Sequence, residues 1–343
     1  MNASAYLTAA CAGFLLSVAA TFVLRRLALR WGVTDRPGGH KTHRRPTPCL
    51  GGIAIMLGTV VPAAMVAGAA GQRMAGLLVG ALAMTLLGLM DDISPLPPLN
   101  RLAVEALAAG VVVVSGVAAP ITGGPLDGPI TVLWIVVVTN SFNLLDNMDG
   151  VLGGVTVVSA VFLAAAAFVS AQPLTGLVLV TLSAAALGFL PYNWAPARIF
   201  MGDAGSLFIG FVLTSSAAAL VTGTGTGTAV AGLLLPAFVA VADTGVVLLS
   251  RRRAGRSVLQ GGTDHLSHRV HRLGLGVRLT ALTLAALAAA AGVLDLAMTL
   301  AWLPPLGAAL GGTAAACAIV VLAQRVRVYP SPVRPQDSLR VRR

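Results

Sequence analysis

The chain has 343 residues, of which 57% are apolar and only 10% are charged. Because soluble domains carry about 25% charged residues, this chain has too few polar side chains to cover a water-facing surface, and a soluble globular protein is excluded. The net charge of +11 is therefore interpreted as a signal of membrane topology and not of nucleic-acid binding. The three cysteines are scattered, which argues against a disulfide framework and against a CxxC metal motif.

Apolar stretches long enough for a transmembrane helix recur along the whole chain. The first, at residues 3–24, has no basic segment before it, so we expect a membrane span and not a cleaved signal peptide. The predicted fold class is all-α, a polytopic membrane bundle of about eleven transmembrane helices. The predicted helices lie near residues 4–24, 49–70, 74–90, 102–120, 130–146, 151–171, 174–190, 205–221, 228–250, 278–298 and 303–323.

With these helices, all but Arg73 of the 23 Lys and Arg residues fall on one side of the membrane. Cytoplasmic loops carry such an excess, so the N-terminus is expected outside and the C-terminus in the cytoplasm. Residues 1–324 are predicted to form a single transmembrane domain. Residues 325–343 are predicted to form a basic, disordered cytoplasmic tail on anionic headgroups.

Most acidic residues lie at the cytoplasmic ends of the predicted helices, where ionisable side chains are functional candidates. Asp91 and Asp92 end the third helix, where they face the unfavourable end of the helix dipole and repel each other. The pair is equally compatible with a solvated helix end and with a site that holds a cation.

At the end of the fifth helix, Asn143, Asp146 and Asp149 are spaced i, i+3, i+6. In a helix this spacing places them along one face. Three polar groups on one stripe of an apolar protein indicate a shared ligand. The alternative is an internal hydrogen-bonded network between helices.

The segment 191–206 places Asp203 where an N-cap is expected, just before the eighth helix. Since a helix N-terminus is also an anion site, Asp203 is either a cap alone or a metal ligand beside a phosphate. Asn193 and Phe200 are candidates for gripping a nucleotide base by hydrogen bonding and stacking.

Two basic cytoplasmic segments complete the candidate site. His265, His268 and His271 are spaced i, i+3, i+6 with Arg269 among them, a pattern that suits phosphate oxygens. Transition-metal ligation and a solvated basic loop are the alternatives. In the first loop, residues 35–52, His43 and Arg45 lie in a Pro- and Gly-rich stretch typical of an anion-binding rim, although topology alone explains its charges.

Taken in order, these elements resemble the polyprenyl-phosphate N-acetylhexosamine-1-phosphate transferases, the superfamily that includes phospho-N-acetylmuramoyl-pentapeptide transferase. Each motif is weak alone, whereas five of them in the family's order on one membrane face are specific. The matching stretches are the DxP…HxRPTPxxGG loop (35–52), the Asp pair at 91–92 with Arg101 nine residues on, NxxDxxDGxxGG (143–154), PARIFMGDAGS (196–206) and HLSH (265–268).

The resemblance implies an enzyme of the bacterial plasma membrane whose active site faces the cytoplasm and whose transmembrane domain is catalytic. It would transfer N-acetylhexosamine 1-phosphate, with N-acetylglucosamine favoured, from a UDP-sugar to a polyprenyl phosphate, releasing UMP. This is the first membrane step of cell-envelope polysaccharide synthesis.

By the same resemblance, Asp203 is the expected Mg²⁺ ligand, with Mn²⁺ as an alternative ion, and Asp91 and Asp92 are the expected catalytic pair. His265 and His268 join the catalytic set at the pyrophosphate. Expected substrate contacts are Asn143, Asp146, Asp149, Asn193, Phe200, Arg269, His43, Arg45 and Arg101. Expected partners are a UDP-N-acetyl-sugar, a polyprenyl phosphate and membrane lipids, with a homodimer left open and no nucleic acid.

Two positions depart from the family pattern. Asn147 follows Asp146 where the motif usually has Gly, and Ser267 replaces a histidine of the HLSH stretch. The lack of a triple histidine favours the N-acetylglucosamine branch over the alternative, phospho-N-acetylmuramoyl-pentapeptide transferase. A membrane transporter is the alternative from another class, disfavoured because transporter sites lie near the bilayer midplane, usually with inverted repeats.

Overall fold

The computed structural model describes residues 2–35, 47–68, 71–257 and 262–329, and its regular structure is almost wholly helical, which confirms the all-α prediction. In chain order the elements are α1 (Ala3–Trp31), β1 (Thr34–Asp35), β2 (Thr47–Pro48), α2 (Gly51–Ala67), α3 (Gln72–Ile93), α4 (Pro98–Val114), α5 (Asp127–Leu145), α6 (Val151–Val169), α7 (Pro173–Asn193), α8 (Gly202–Val221), α9 (Thr226–Leu234), α10 (Phe238–Arg253), α11 (Leu266–Arg272), α12 (Val277–Thr299) and α13 (Pro305–Ala323).

Eight of the described helices are long and apolar enough to cross a membrane. The α9–α10 pair adds a ninth span if it is counted as one, although it is bent by 74°. The bend lies beside Pro236, which has no backbone N–H to continue a helix. Each predicted segment coincides with a described helix, the ninth being divided by this bend. The number of spans and the side of each terminus stay predictions.

Helix α8 lies at the centre of the bundle, and nearly all of its residues are buried. It packs against α2, α3, α5 and α9. Small residues allow this close packing, since Gly205 lies against the backbone of Gly52 and Gly210 against that of Thr139. The outer helices α1 and α13 expose leucines, as expected for side chains that face lipid: Leu7, Leu15, Leu306 and Leu310.

The two short strands are antiparallel, with Thr34 opposite Pro48. They flank residues 36–46, so the predicted contacts His43 and Arg45 lie outside the described residues. The end of this loop lies beside the segment before α8. The backbone N–H of Phe200 donates to the Pro48 carbonyl at 2.7 Å, and that of Gly51 donates to the Phe200 carbonyl at 3.0 Å.

The HLSH stretch is not a loop, because its last three residues open the short helix α11. The first five residues of the predicted tail, 325–329, are held against this region. Arg269 donates to the Val326 carbonyl at 2.6 Å, and the Tyr329 hydroxyl donates to Asp264 at 2.8 Å. The rest of the predicted tail, residues 330–343, lies outside the described part of the chain.

Candidate active site

The junction between α3 and α8 is made by Asp92. Its carboxylate accepts the backbone N–H groups of Asp203 at 2.9 Å and Ala204 at 3.1 Å. No side chain of α8 caps that helix, so Asp92 supplies the cap from a neighbouring helix. The prediction of Asp203 as N-cap is wrong, because α8 already begins at Gly202. Two of the free N–H groups in the first turn of α8, those of its second and third residues, are thus used by a protein carboxylate.

Two glycines allow this junction. A Cβ at Gly88 would overlap the backbone of Asp203, and a Cβ at Gly202 would overlap the carboxylate of Asp92. Gly202 also has a φ of 67°, which residues with a side chain rarely adopt. The first glycine of the PARIFMGDAGS motif, Gly202, is therefore required by the backbone conformation at the start of α8.

The side chain of Asp203 links three of the predicted motifs. Its Oδ1 accepts from Asn143 Nδ2 at 3.0 Å, and its Oδ2 lies 3.1 Å from Arg101 Nη1. The same Arg101 nitrogen donates to Asp91 Oδ2 at 2.7 Å. The structure thus brings together polar residues from α3, α4, α5 and α8 that lie as much as 112 positions apart in the sequence.

Asp146 and Asp149 differ from the predicted helical stripe. Helix α5 ends at Leu145, so the chain has turned before Asp149, which accepts the backbone N–H of Ala197 at 2.8 Å. Burial, together with the charges of Asp203, Asp92 and Asp149, raises the pKa of Asp146 to about 7. Among the described residues no hydrogen bond reaches the Asp146 carboxylate, which therefore stays open to a ligand.

Asn193 and Phe200 lie beside this centre. Asn193 is buried, and both ends of its amide bond backbone groups, accepting from Gly150 N–H at 3.0 Å and donating to the Ile199 carbonyl at 3.1 Å. In this arrangement Asn193 shapes the pocket wall. Phe200 is half-buried. Base contacts by both side chains stay predictions.

The histidine segment is oriented by a buried carboxylate of α10. Asp243 lies 2.8 Å from His265 Nδ1 and accepts the backbone N–H of Leu266 at 2.5 Å. It is completely buried. As Asp92 does for α8, Asp243 caps a helix to which it does not belong, and it also sets the ring orientation of His265.

The guanidinium of Arg269 is bonded to acceptors within the protein. Its guanidinium donates to the carbonyl oxygens of Asp264, Ala323 and Val326 and to the hydroxyl of Ser250, at 2.6–3.1 Å. Only 2% of the residue is exposed. In this arrangement it clamps the end of α13, and its predicted contact with pyrophosphate stays a prediction.

The two positions that depart from the family pattern touch each other. The Ser267 hydroxyl donates to Asn147 Oδ1, and Asn147 Nδ2 donates to the Leu144 carbonyl at 2.8 Å, which fixes the orientation of the amide. Ser267 Oγ also lies 3.2 Å from His268 Nδ1. Because the only hydroxyl proton goes to Asn147, His268 Nδ1 must be the donor. Nε2 of the neutral ring then carries the lone pair.

His268 is neutral at physiological pH. Burial, assisted by the neighbouring His265, lowers the pKa of His268 to about 4. A neutral ring with an unprotonated Nε2 accepts a hydrogen bond, which suits a hydroxyl or N–H group better than a phosphate oxygen. The predicted pyrophosphate contact would require the protonated ring.

One further polar pair, which the sequence did not predict, lies near the site. Glu105 of α4 is buried and accepts a hydrogen bond from Asn140 of α5, while its Oε1 has no partner among the described residues. The available signal was spacing, because Glu105 lies one helical turn after Arg101 and Asn140 one turn before Asn143. Glu105 and Asn140 thus link α4 and α5 one turn away from the polar network of Arg101 and Asn143.

The donor set fits a divalent cation only in part. Among the described residues, no group of three or more His, Cys, Asp or Glu side chains is arranged to enclose a metal ion. Asp203 and the open carboxylate of Asp146 are the two side chains here that could supply oxygen ligands. This is the number with which Mg²⁺ is bound when substrate phosphates complete its coordination.

Comparison with known proteins decides the family. The family model for glycosyl transferase family 4 matches residues 74–221. A protein of Streptomyces coelicolor named as a glycosyltransferase is 41% identical over 342 residues, covering 97% of this chain and 79% of that protein. The chain belongs to glycosyl transferase family 4.

Two further relatives of this family 4 protein carry substrate names. The decaprenyl-phosphate N-acetylglucosaminephosphotransferase of Mycolicibacterium smegmatis is 31% identical over 294 residues, covering 74% of this chain and 72% of that enzyme. The phospho-N-acetylmuramoyl-pentapeptide-transferase of Heliobacterium modesticaldum is 31% identical over 231 residues, covering 60% and 71%. The family 4 assignment and the apolar helices confirm a membrane-embedded transferase, and the transporter alternative is no longer supported.

Proposed function

We propose that this family 4 protein transfers N-acetylglucosamine 1-phosphate from UDP-N-acetylglucosamine to a polyprenyl phosphate, producing UMP and a polyprenyl-diphosphate sugar. One observation carries the proposal: Asp91, Asp203, Asn143 and Arg101 form one connected polar network at one end of an apolar bundle. The names of the relatives support the substrates, since N-acetylglucosamine-type enzymes match more of this chain than the pentapeptide type does.

The reaction requires charge neutralisation and alignment more than covalent catalysis by the protein. An oxygen of the lipid phosphate forms a bond to the β-phosphorus, while the bond from that phosphorus to the oxygen bridging it to the α-phosphorus breaks. The bridging oxygen leaves on UMP. With a second pKa of about 6, the lipid phosphate is already mostly ionised at neutral pH, so a strong general base is unnecessary.

The residues take separate roles in this proposal. Arg101, held between Asp91 and Asp203, can turn a guanidinium donor toward a phosphate oxygen. Asp92 positions the N-terminus of α8. His268 Nε2 accepts a hydrogen bond from a hydroxyl or N–H group of the UDP-sugar. Asp203 and Asp146 would hold Mg²⁺, which when bound neutralises charge on the diphosphate.

Release of UMP by the purified chain in phospholipid vesicles tests the proposal. We expect release from UDP-N-acetylglucosamine that requires both polyprenyl phosphate and Mg²⁺ and stops with EDTA. Asp203→Asn should abolish it, whereas Asp127→Asn, at the opposite end of the bundle, should not. A faster reaction with UDP-N-acetylmuramoyl-pentapeptide would assign the chain to the alternative branch, and release without polyprenyl phosphate would reject transfer.

Orientation and assembly belong to the same proposal. The predicted topology places this end of the bundle in the cytoplasm. A cysteine-reactive, membrane-impermeant label on single-cysteine variants at either end of α8 in intact cells tests that orientation. The homodimer stays a prediction, and the mass of the detergent-solubilised protein measured by light scattering tests it.

A further inference from the structure

A second polar feature lies at the end of the bundle opposite the candidate active site. Asp295 belongs to the last two turns of α12 and is 3% exposed. It lines a cavity of about 620 Å³ formed by the ends of α6, α8 and α12, the first turns of α9 and the segment before α13. The polar network of the active site lies at the other ends of α6 and α8.

The carboxylate of Asp295 has no partner in the described part of the chain. No hydrogen bond or ion pair reaches it, whereas its backbone carbonyl accepts the Thr299 hydroxyl at 2.8 Å. An unpaired carboxylate removed from water costs several kcal/mol. Ionisable side chains at such positions are therefore retained mainly where they meet a ligand, a proton or water.

The cavity wall combines one negative charge with apolar surface. Met298, Leu163 and Leu220 supply hydrocarbon, and Trp302 lies at the rim. Hydroxyl groups come from Ser170, Thr224, Thr228 and Thr299. No Lys, Arg or His is among the described residues of the wall. Small-molecule sites have this volume and this mixture of apolar walls with few polar groups.

We propose that this cavity binds an amphiphilic ammonium compound, with the ammonium group on the Asp295 carboxylate and the hydrocarbon part against the apolar wall. A single carboxylate attracts a cation without forming a metal cage, and no metal-binding group of three or more side chains occurs in the described residues. Trp302 adds an aromatic surface that favours cations. The proposal is independent of the transferase reaction.

Equilibrium dialysis of radiolabelled hexylamine against the purified full chain in a non-ionic detergent tests the site. We expect saturable binding above pH 7 that hexan-1-ol, the neutral analogue, does not displace. Asp295→Asn should weaken binding by about tenfold or more, the loss of one charge-assisted contact. Asp127→Asn removes a carboxylate at the same end but outside the cavity, and it should bind hexylamine as the wild type does.

A second variant separates ligand binding from folding. Thr228→Phe narrows the cavity and leaves Asp295 in place, and it should also weaken hexylamine binding while UMP release stays unchanged. Equal binding by Asp295→Asn and wild type, or displacement by hexan-1-ol as effective as by hexylamine, would overturn the proposal. Binding of Ca²⁺ without binding of hexylamine would overturn it as well, by making the site a metal site.

Discussion

At the residue scale, carboxylates that look alike in the sequence have different tasks. Asp92 and Asp149 accept backbone N–H groups of other segments, so they hold the chain in place. Asp203 and Asp146 belong to the candidate active site: Asp203 is bonded to Asn143 and Arg101, and the Asp146 carboxylate is open. Substitution should therefore separate positioning from ligand binding.

Asp92→Asn and Asp203→Asn should differ in stability. In Asp92→Asn, the amide that replaces the carboxylate can no longer accept both backbone N–H groups. We therefore expect a loss of roughly 1–3 kcal/mol of folding free energy together with lower turnover. Asp203→Asn should keep the melting temperature and lose both activity and stabilisation by Mg²⁺. Thermal melting with and without Mg²⁺ measures both, and an unchanged metal titration in Asp203→Asn would reject Asp203 as a ligand.

Ser267→Ala should act through His268. Without the hydroxyl, nothing selects the Nδ1–H tautomer, and we expect kcat to fall by about tenfold while the melting temperature changes little. Ser267→Thr, which keeps the hydroxyl, should restore the rate. Asn147→Ala should be non-additive with Ser267→Ala, because both remove the same chain of hydrogen bonds. Additive effects would contradict this coupling.

The neutral His268 should make the protein sensitive to acid. The pKa of His268 is lowered to about 4 from an ordinary value of 6.5, so between these pH values the unfolded chain binds a proton that the folded chain does not. Stability therefore falls as pH falls through this window, by at most about 3 kcal/mol. The melting temperature of His268→Gln should fall less between pH 7 and pH 5 than that of the wild type. An equal fall in both proteins would contradict a lowered pKa of His268.

At the element scale, the site depends on how closely helices approach. Asp92 can cap α8 because Gly88 and Gly202 leave no side chain between α3 and the start of α8. Charge then strengthens the junction, since a carboxylate at a helix N-terminus is favoured by the helix dipole. The same arrangement recurs where Asp243 of α10 meets α11.

Gly202→Ala should be far more harmful than a glycine substitution in open space. The added methyl group overlaps Asp92 and the backbone is left-handed, so we expect a loss of more than about 2 kcal/mol and of activity. Gly110→Ala in α4 meets no atom within 4 Å and should be neutral or stabilising by up to about 1 kcal/mol. Thermal melting of both variants checks the contrast, which equal melting temperatures would refute.

At the scale of the whole molecule, the histidine segment, residues 265–271, joins the middle of the chain to its C-terminal part. Asn147 after α5 contacts Ser267 in α11, and Arg269 holds the chain after α13. The active-site wall thus depends on residues beyond the stretch that matches the family model, 74–221. Loss of the hydrogen bonds from Arg269 to the chain after α13 should therefore destabilise the histidine segment.

Arg269→Gln tests whether that arginine clamps the fold or contacts substrate. Several carbonyl acceptors lose a charged donor, so we expect the melting temperature to drop by several degrees, equivalent to roughly 1–3 kcal/mol. The KM for the UDP-sugar should change little in protein that remains folded. An unchanged melting temperature with a raised KM would instead assign Arg269 to the pyrophosphate.

Helices and motifs were predictable because their signals are local. Apolar length marks the helices, and Asp91, Asp92 and Asp203 stand out as charges in an apolar chain. The helix end at Leu145 was not predictable from the i, i+3, i+6 spacing, which continues past it. The polar pair Glu105–Asn140 was missed because a single acidic residue in a helix has no pattern of its own.

Composition and the order of motifs were sufficient to predict a membrane bundle, its family and several of the side chains that meet at one end. Tertiary structure alone decided which of those side chains hold backbone and which stay open, because a carboxylate's role depends on the N–H groups that reach it across other helices. It also decided that Asn147 and Ser267 touch and that Asp295 lines a cavity. Those relations join positions far apart in the chain, where no local preference acts.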